Sequence, residues 1–423
     1  MRALIQGLSE SEIMEIQGLL IRLGYYRGEA DGKFGRLTEQ ALAGFQRSYG
    51  ATPEEVIGED TCKMLWKFLQ GYDTYTIKPG EIIDSVAVRF STTANRILAA
   101  NPGLAEDVRV EGQNIVVPYG INVVDTNINY TYEIMEKNIQ SLRTRYPFIE
   151  VGTAGKSVLG RYLYYIKLGS GPREVFYNGS HHSLEWITSV LLMKFVENYS
   201  KAYVDGTALE RRNVRDMWRE STIYVMPMVN PDGVDLVING LQSGNPYYND
   251  LIRWNKGSKN FSRVWQANIR GVDLNHNYDA SWSMSKAAEG VYGITGPGPT
   301  RFSGTAPESE PESRAVADFT RKHAFRLVLA YHSQGELIYW TYSDKTPLES
   351  SRIVQHFARV SGYKPDQTSG IASYGGYKDW FIDKFGKPGF TIEVGRGTNP
   401  LPISQFSKIY KDNIGILLMA AVI

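Results

Sequence analysis

Gly179-Ser180-His181-His182-Ser183-Leu184-Glu185-Trp186 is the stretch from which the rest of the chain is best read. An extended segment, Glu174 to Asn178, leads into it, and a helical pattern leaves it from Glu185, so a strand ends and a helix begins here. Working outward, Tyr162–Lys167 reads as the strand before it and Ile223–Val229 as the strand after it. Helix Glu310–His323, strand Arg326–Tyr331, helix Leu348–Val360 and strand Gly389–Val394 follow, and an amphipathic helix, Tyr132–Tyr146, precedes them all. Strands alternating with helices predict an α/β fold, a mixed sheet flanked by helices on both faces. In such sheets ligands sit outside the carboxyl ends of the strands.

The candidate chemistry lies at those ends. His182 and Glu185 stand three residues apart, so one turn can aim both at a single ion. His332 follows the apolar run Leu327-Val328-Leu329-Ala330-Tyr331, where a buried strand emerges. Glu393, in Phe390-Thr391-Ile392-Glu393-Val394, puts a carboxylate inside an apolar strand, which is costly unless a metal or a function accounts for it. The chain has six His and one Cys, so a cysteine-ligated zinc site and an internal disulfide are excluded, whereas a histidine and carboxylate zinc site with an open position for water is available. Cys62, in Cys62-Lys63-Met64-Leu65-Trp66, reads as a buried structural thiol.

The order of these pieces, with Asn230-Pro231-Asp232-Gly233 and Gly271-Val272-Asp273-Leu274-Asn275 between them, resembles the zinc carboxypeptidase family over essentially the whole segment from about Val123 onward. The resemblance implies His182, Glu185 and His332 as ligands of Zn2+ and Glu393 as general base. It gives His181 no ligand role and leaves it a neighbour of the site. An arginine is implied as the cation beside the oxyanion, with Arg270 favoured over Arg253. Asn275 is implied to contact substrate. Two positions depart from the family. His276 stands where an arginine grips a substrate's terminal carboxylate, and histidine is no bidentate fork. Ile371 falls where the family has a mobile substrate tyrosine, which leaves Tyr374 or Tyr377 as substitutes.

Two smaller modules precede this segment. In residues 1–72, Ile13, Ile16, Leu19, Leu20 and Leu23 recur at helical spacing, with Ser9 as N-cap and Gly24 as stop. The turn Ala30-Asp31-Gly32-Lys33-Phe34-Gly35 leads to a second helical pattern (Leu37, Ala41, Leu42, Phe45), and Ile57–Leu69 supplies a third. The turn, Thr38 and Phe45-Gln46 resemble the peptidoglycan-binding three-helix domain. In residues 73–120, a strand (Thr74–Ile77), two helical patterns (Ile82–Phe90, Ala94–Ala100) and a second strand (Asn114–Pro118) occur in that order. With Lys78-Pro79-Gly80, Asn101-Pro102-Gly103 and Ile115-Val116-Val117-Pro118, they resemble a LysM domain, which implies glycan binding. The remaining residues, 121–423, form the peptidase domain.

A formal net charge of +1 at pH 7 offers no electrostatic reason for a nucleic acid or an acidic membrane as partner. The start, Met1-Arg2-Ala3-Leu4-Ile5-Gln6-Gly7-Leu8, is too soon polar for a signal peptide, and no segment has the apolar length of a membrane span. The expected location is therefore the cytoplasm, as in a sporulating cell, or the wall after a non-classical release. Two wall-binding modules ahead of such a peptidase resemble bacterial γ-D-glutamyl-L-diamino acid endopeptidases, which implies peptidoglycan glycan and stem peptides as partners. The alternatives are a metallocarboxypeptidase of broader substrates and a non-catalytic wall-binding protein.

Overall fold

The computed structural model describes residues 8–50, 59–104 and 111–423. Met1–Gly7 and the expected start of the third helix, Ile57 and Gly58, lie outside the described residues. The chain divides into two compact units, Met1–Asn129 with Glu136–Phe148, and Tyr130–Met135 with Ile149–Ile423.

In the first unit, α1 (Glu10–Arg22), α2 (Arg36–Ser48) and α3 (Glu59–Gln70) pack around Leu19, Leu20, Leu42, Phe45 and Leu65. Ser9 and Glu12 form a reciprocal capping box at the start of α1. The Asp31-Gly32-Lys33 turn is held by one buried side chain. Gln17 donates from Nε2 to Asp31 Oδ1 at 2.9 Å and accepts at Oε1 from the Gly32 amide at 2.9 Å. Gly32 has φ +71 and the Glu10 carbonyl only 2.7 Å from where a Cβ would stand, so both conformation and space call for glycine. Cys62 is half-buried at the rim of this core rather than sealed within it. Strands β1 (Tyr72–Thr76) and β2 (Asn114–Pro118) pair antiparallel, with α4 (Ile83–Arg89) and α5 (Ala94–Ala100) between them in sequence. Val86, Ile97, Ile115 and Val117 form their core, and Asn101 bonds both N–H and C=O of Val116. Helix α6 (Tyr132–Arg145) contributes its first turn to the second unit and the rest to the first.

The second unit is built on β3 (Glu150–Lys156), β4 (Tyr162–Gly169), β5 (Arg173–Gly179), a two-residue hairpin β6 and β7 (Ala208–Leu209, Arg212–Asn213), β8 (Ser221–Met226), β9 (Leu327–His332), β10 (Leu337–Tyr339), β11 (Lys364–Asp366) and β12 (Gly389–Glu393). Its helices are α7 (Ile187–Asp205), α8 (Val214–Glu220), α9 (Pro231–Asn239), α10 (Tyr248–Trp254), α11 (Trp282–Val291), α12 (Pro311–Arg321), α13 (Leu348–Ser361), α14 (Tyr377–Phe385) and α15 (Phe406–Val422). Eight strands form one mixed sheet in the order β11-β10-β12-β9-β5-β8-β4-β3. The four central strands, β12, β9, β5 and β8, are mutually parallel. β8 and β9 are buried at every residue, as expected of strands covered by helices on both faces. Three strands of this sheet have no counterpart in the sequence reading, β3, β10 and β11, and neither has the separate hairpin β6–β7. Strands β10 and β11 have three residues each, and β3 carries two glycines, so none of the three offers a readable periodicity.

Because the central strands run parallel, β5, β8, β9 and β12 all release their following residues on one edge of the sheet. Glu393 lies directly beside His332 in register, and Gly179 beside Tyr331.

Candidate metal centre

The segment after β5 leaves the sheet through a sharp turn. Ser180 is buried with φ +52, a conformation costly for a side chain-bearing residue and sustained only where the surroundings hold it. Here its amide donates to Thr188 Oγ1 at 2.9 Å, and its hydroxyl lies 2.8 Å from Ser189 Oγ and donates to the Glu185 carbonyl at 3.2 Å. The turn delivers His182 in an extended conformation and Glu185 at the end of a short 3-10 turn, Ser183–Glu185, ahead of α7. From behind, Asn230 donates to the carbonyls of His181 and Ala267, both at 3.1 Å, while capping α9 through the Gly233 amide. The Ser183 amide donates to the Gln266 carbonyl at 3.1 Å.

His182, Glu185 and His332 each present one ligand atom, and these atoms lie within 4.8 Å of one another. The two Glu185 oxygens face His182 Nδ1 and His332 Nδ1, each at 2.9 Å. His182 Nε2 meets Asp273 Oδ1 at 3.0 Å. A neutral imidazole has one N–H, and His182 has a carboxylate oxygen at both nitrogens. If the proton faces Asp273, a lone pair faces Glu185, which is repulsive unless a cation lies between. His332 Nε2 is buried with no partner among the described atoms, so that nitrogen can carry the ring proton and leave a second lone pair at Nδ1. Two histidine nitrogens and one carboxylate, with a carboxylate behind one histidine, are the donor set and the outer support of a catalytic zinc site. The residues fit the ion.

The electrostatics agree. Burial pushes the His182 pKa down, but the charges of Glu185 and Asp273 outweigh it and hold the ring well above its ordinary value. Burial likewise opposes ionisation of Glu185 and Asp273, yet the facing histidines hold both carboxyls low. This is an anionic cradle around a position that wants positive charge. Glu393 is partly exposed at the end of β12, raised well above the usual carboxylate range by burial and by the Glu185 charge.

The other predicted residues divide. His181 is not part of the trio. It is fully buried, with Nε2 2.9 Å from Tyr278 Oη and its ring stacked on His332 at 5.7 Å. Burial, then the neighbouring histidines, push its pKa well down, so it packs as a neutral ring. Asn275 is partly exposed, with Oδ1 accepting from the Tyr377 amide at 3.1 Å. His276 Nδ1 lies 3.0 Å from the Tyr374 carbonyl and 3.3 Å from Ser285 Oγ. Tyr374 keeps part of its surface open, whereas Tyr377 is buried, bonds Thr320 at 2.9 Å and stacks on His181 at 5.8 Å, which removes it as a mobile substrate contact. Arg270 is exposed and engages Tyr247 at 3.2 Å and Glu310 at 3.7 Å.

Asp273 was readable within its motif as a tract but not as a partner of His182. Thr300 and Arg301, which meet its carboxylate, carry no sequence signal. Arg301 donates its amide to Asp273 Oδ2 at 2.8 Å, with Thr300 Oγ1 3.2 Å from the same oxygen and 2.7 Å from Gln266 Oε1.

Comparison with known proteins extends the picture. The zinc carboxypeptidase family model matches residues 135–415, a peptidoglycan binding domain model matches 9–65, and a LysM domain model matches 75–118. The chain is 44% identical over 296 residues to gamma-D-glutamyl-L-diamino acid endopeptidase 1 of Lysinibacillus sphaericus, covering 70% of this chain and 73% of that protein. It is 26% identical over 365 residues to carboxypeptidase B of Bos taurus, covering 78% and 80%. Among solved structures, bovine thrombin-activatable fibrinolysis inhibitor in complex with tick carboxypeptidase inhibitor shares the fold, with a TM-score of 0.52 at 21% identity, covering 70% of this chain and 97% of that one. A family match across two thirds of the sequence thus coincides with a two-histidine, one-glutamate cluster at the carboxyl edge of the sheet, and the chain belongs to the zinc carboxypeptidase family and is a zinc metallopeptidase.

Proposed function

We propose that this chain hydrolyses peptidoglycan stem peptides at the γ-D-glutamyl-L-diamino acid bond, the diamino acid being diaminopimelate. The observation that carries the reading is the 44% identity to a gamma-D-glutamyl-L-diamino acid endopeptidase in a chain that also matches two wall-binding domain models. Hydrolysis is assigned to residues 121–423, and wall binding to 1–72 and 73–120.

His182, Glu185 and His332 would hold the zinc ion, through atoms already converging within 4.8 Å. Bound there, zinc polarises the scissile carbonyl and acidifies a water. Glu393, next to His332 in register, takes the proton of the attacking water and returns it to the leaving amine. Asn275 and Tyr374, both partly exposed, would contact the substrate. His276 in place of an arginine removes the bidentate grip on a terminal carboxylate. This favours a substrate whose residue after the cut carries more than a plain chain end.

Purified protein given L-Ala-γ-D-Glu-diaminopimelate and a hippuryl dipeptide should cleave the first and leave the second. Cleavage of the hippuryl dipeptide alone would make the chain a carboxypeptidase of broader substrates. Failure to cleave either, with zinc bound and wall pull-down intact, would make it a binding protein.

A further inference from the structure

The diamino acid of the proposed substrate carries two carboxylates, one beside the cut and one at the far end of its side chain. Few cations are free to meet them. His276 spends Nδ1 on the Tyr374 carbonyl at 3.0 Å, so its ring offers a single nitrogen and no fork. Arg270 faces Glu310 at 3.7 Å, Lys286 faces Glu289 at 2.9 Å, and Lys378 is buried against Asp379. Arg301 is exposed and forms no ion pair among the described residues. We propose that Arg301 reads the diamino acid, its guanidinium taking the carboxylate at the far end of that side chain.

A ring of contacts fixes where Arg301 stands. Its amide donates to Asp273 Oδ2 at 2.8 Å, and the Asn275 amide donates to Oδ1 of the same carboxylate at 3.2 Å. Its guanidinium sits over the Tyr292 ring, 5.2 Å from the centroid, just beyond the end of α11. Tyr292 Oη lies 2.8 Å from where a Cβ on Gly370 would stand, in the short turn that leads to Tyr374. The Tyr374 carbonyl returns to His276 Nδ1, which also lies 3.3 Å from Ser285 Oγ on α11, and the His276 amide donates to the Asp273 carbonyl at 3.0 Å. Arg301, Tyr292 and Gly370 are exposed and Asn275 and Tyr374 partly so, which opens the ring to solvent. Arg301 therefore starts on the outer side of the His182–Asp273 pair and reaches away from the ligand atoms. That suits the far end of a long side chain, whereas the carboxylate beside the cut belongs near the metal and Asn275. Arg301 also holds φ +65, a conformation that glycine takes freely and a side chain-bearing residue does not, so the backbone alone gives no reason for an arginine. The contact with Tyr292 engages the charge and consumes no N–H acceptor, which leaves the fork available for a bidentate carboxylate.

This assignment rests on the peptidoglycan reading above, and its test separates the two. Arg301→Gly suits the left-handed backbone, keeps the amide on Asp273 and removes the guanidinium, while Arg301→Lys keeps the charge without the fork. The full-length proteins are given L-Ala-γ-D-Glu-meso-diaminopimelate and the same tripeptide ending in L-lysine, whose side chain lacks only the far carboxylate. Arg301→Gly should lose about ten- to a hundredfold in kcat/KM on the first peptide and nothing on the second, with Arg301→Lys between it and wild type. Free meso-diaminopimelate, titrated calorimetrically, should bind Arg301→Gly more weakly by the same factor, with zinc content unchanged. Wild-type kcat/KM on the first peptide in Arg301→Gly would overturn the proposal. Equal losses on both peptides would also overturn it, by giving the side chain a part in every cleavage instead of in reading one group. Cleavage of neither peptide by the wild-type protein would refute the peptidoglycan reading itself.

Discussion

At the scale of single residues, the site separates groups that would touch the reacting atoms from groups that hold them. Glu393 stands partly exposed beside His332, and a positioned general base typically supplies about a hundred- to ten-thousandfold. Glu393→Gln should lose activity on that scale while zinc content, read by atomic absorption, stays at one per chain. An active variant would remove Glu393 from the assigned role. Asp273 touches no substrate in this reading but fixes the ring of His182 at 3.0 Å. Asp273→Asn should weaken zinc affinity about ten- to a hundredfold, measured by competition with a chelator. Unchanged affinity would show that the backbone alone aims His182. The histidines and glutamates were legible because a lone ionisable group at the end of an apolar run needs a reason to be there. Thr300, which meets the Asp273 carboxylate at 3.2 Å, was not, since an uncharged polar residue in a loop carries no such cost and leaves no pattern.

At the scale of elements, the site depends on how strand ends and helix starts are tied together. Glu312, in the first turn of α12, accepts from the Val158 amide at 3.0 Å and from Asn268 at 3.2 Å, while Asp232 at the start of α9 accepts from the next amide, Leu159, at 2.8 Å. Two buried carboxylates thus grip successive amides of the β3–β4 turn, and Arg161 neutralises only Asp232 directly, at 3.0 Å. Burial, with the Asp232 charge adding to it, raises the Glu312 carboxyl to about 8. Its folded pKa lies above its unfolded one, so the folded state holds a proton that the unfolded chain releases. Stability from this group is complete below about 4.5 and declines as pH rises through about 8. Denaturant midpoints of wild type should therefore fall across that window, and Glu312→Gln should flatten the fall. Parallel curves for the two proteins would refute the assignment. A second test lies at Asn230, which caps α9 and satisfies the carbonyls of His181 and Ala267. Asn230→Ala should cost about 2–3 kcal/mol by equilibrium unfolding, the loss of a cap plus two stranded buried carbonyls.

At the scale of the whole molecule, the chain combines a hydrolytic unit with one that matches two wall-binding domain models. Modules that hold the glycan would raise the local concentration of stem peptides. Soluble glycan strands added in excess should then slow digestion of intact sacculi and leave cleavage of the free tripeptide unaffected. Equal inhibition of both, or of neither, would separate the modules from catalysis. Much of this plan was legible in advance. Runs such as Leu327–Tyr331 and the spacing of His182 and Glu185 reflect local requirements, a strand buried on both faces and one turn serving one ion, and local requirements leave local marks. What only the tertiary structure decided was non-local: that four parallel strands end on one edge, that Asp273 stands behind His182, that Tyr377 is walled in while Tyr374 is not, and that Arg270 turns to Glu310. Each depends on which of several chemically equivalent neighbours the chain brings within about 3 Å, and packing makes that choice where spacing along the sequence cannot.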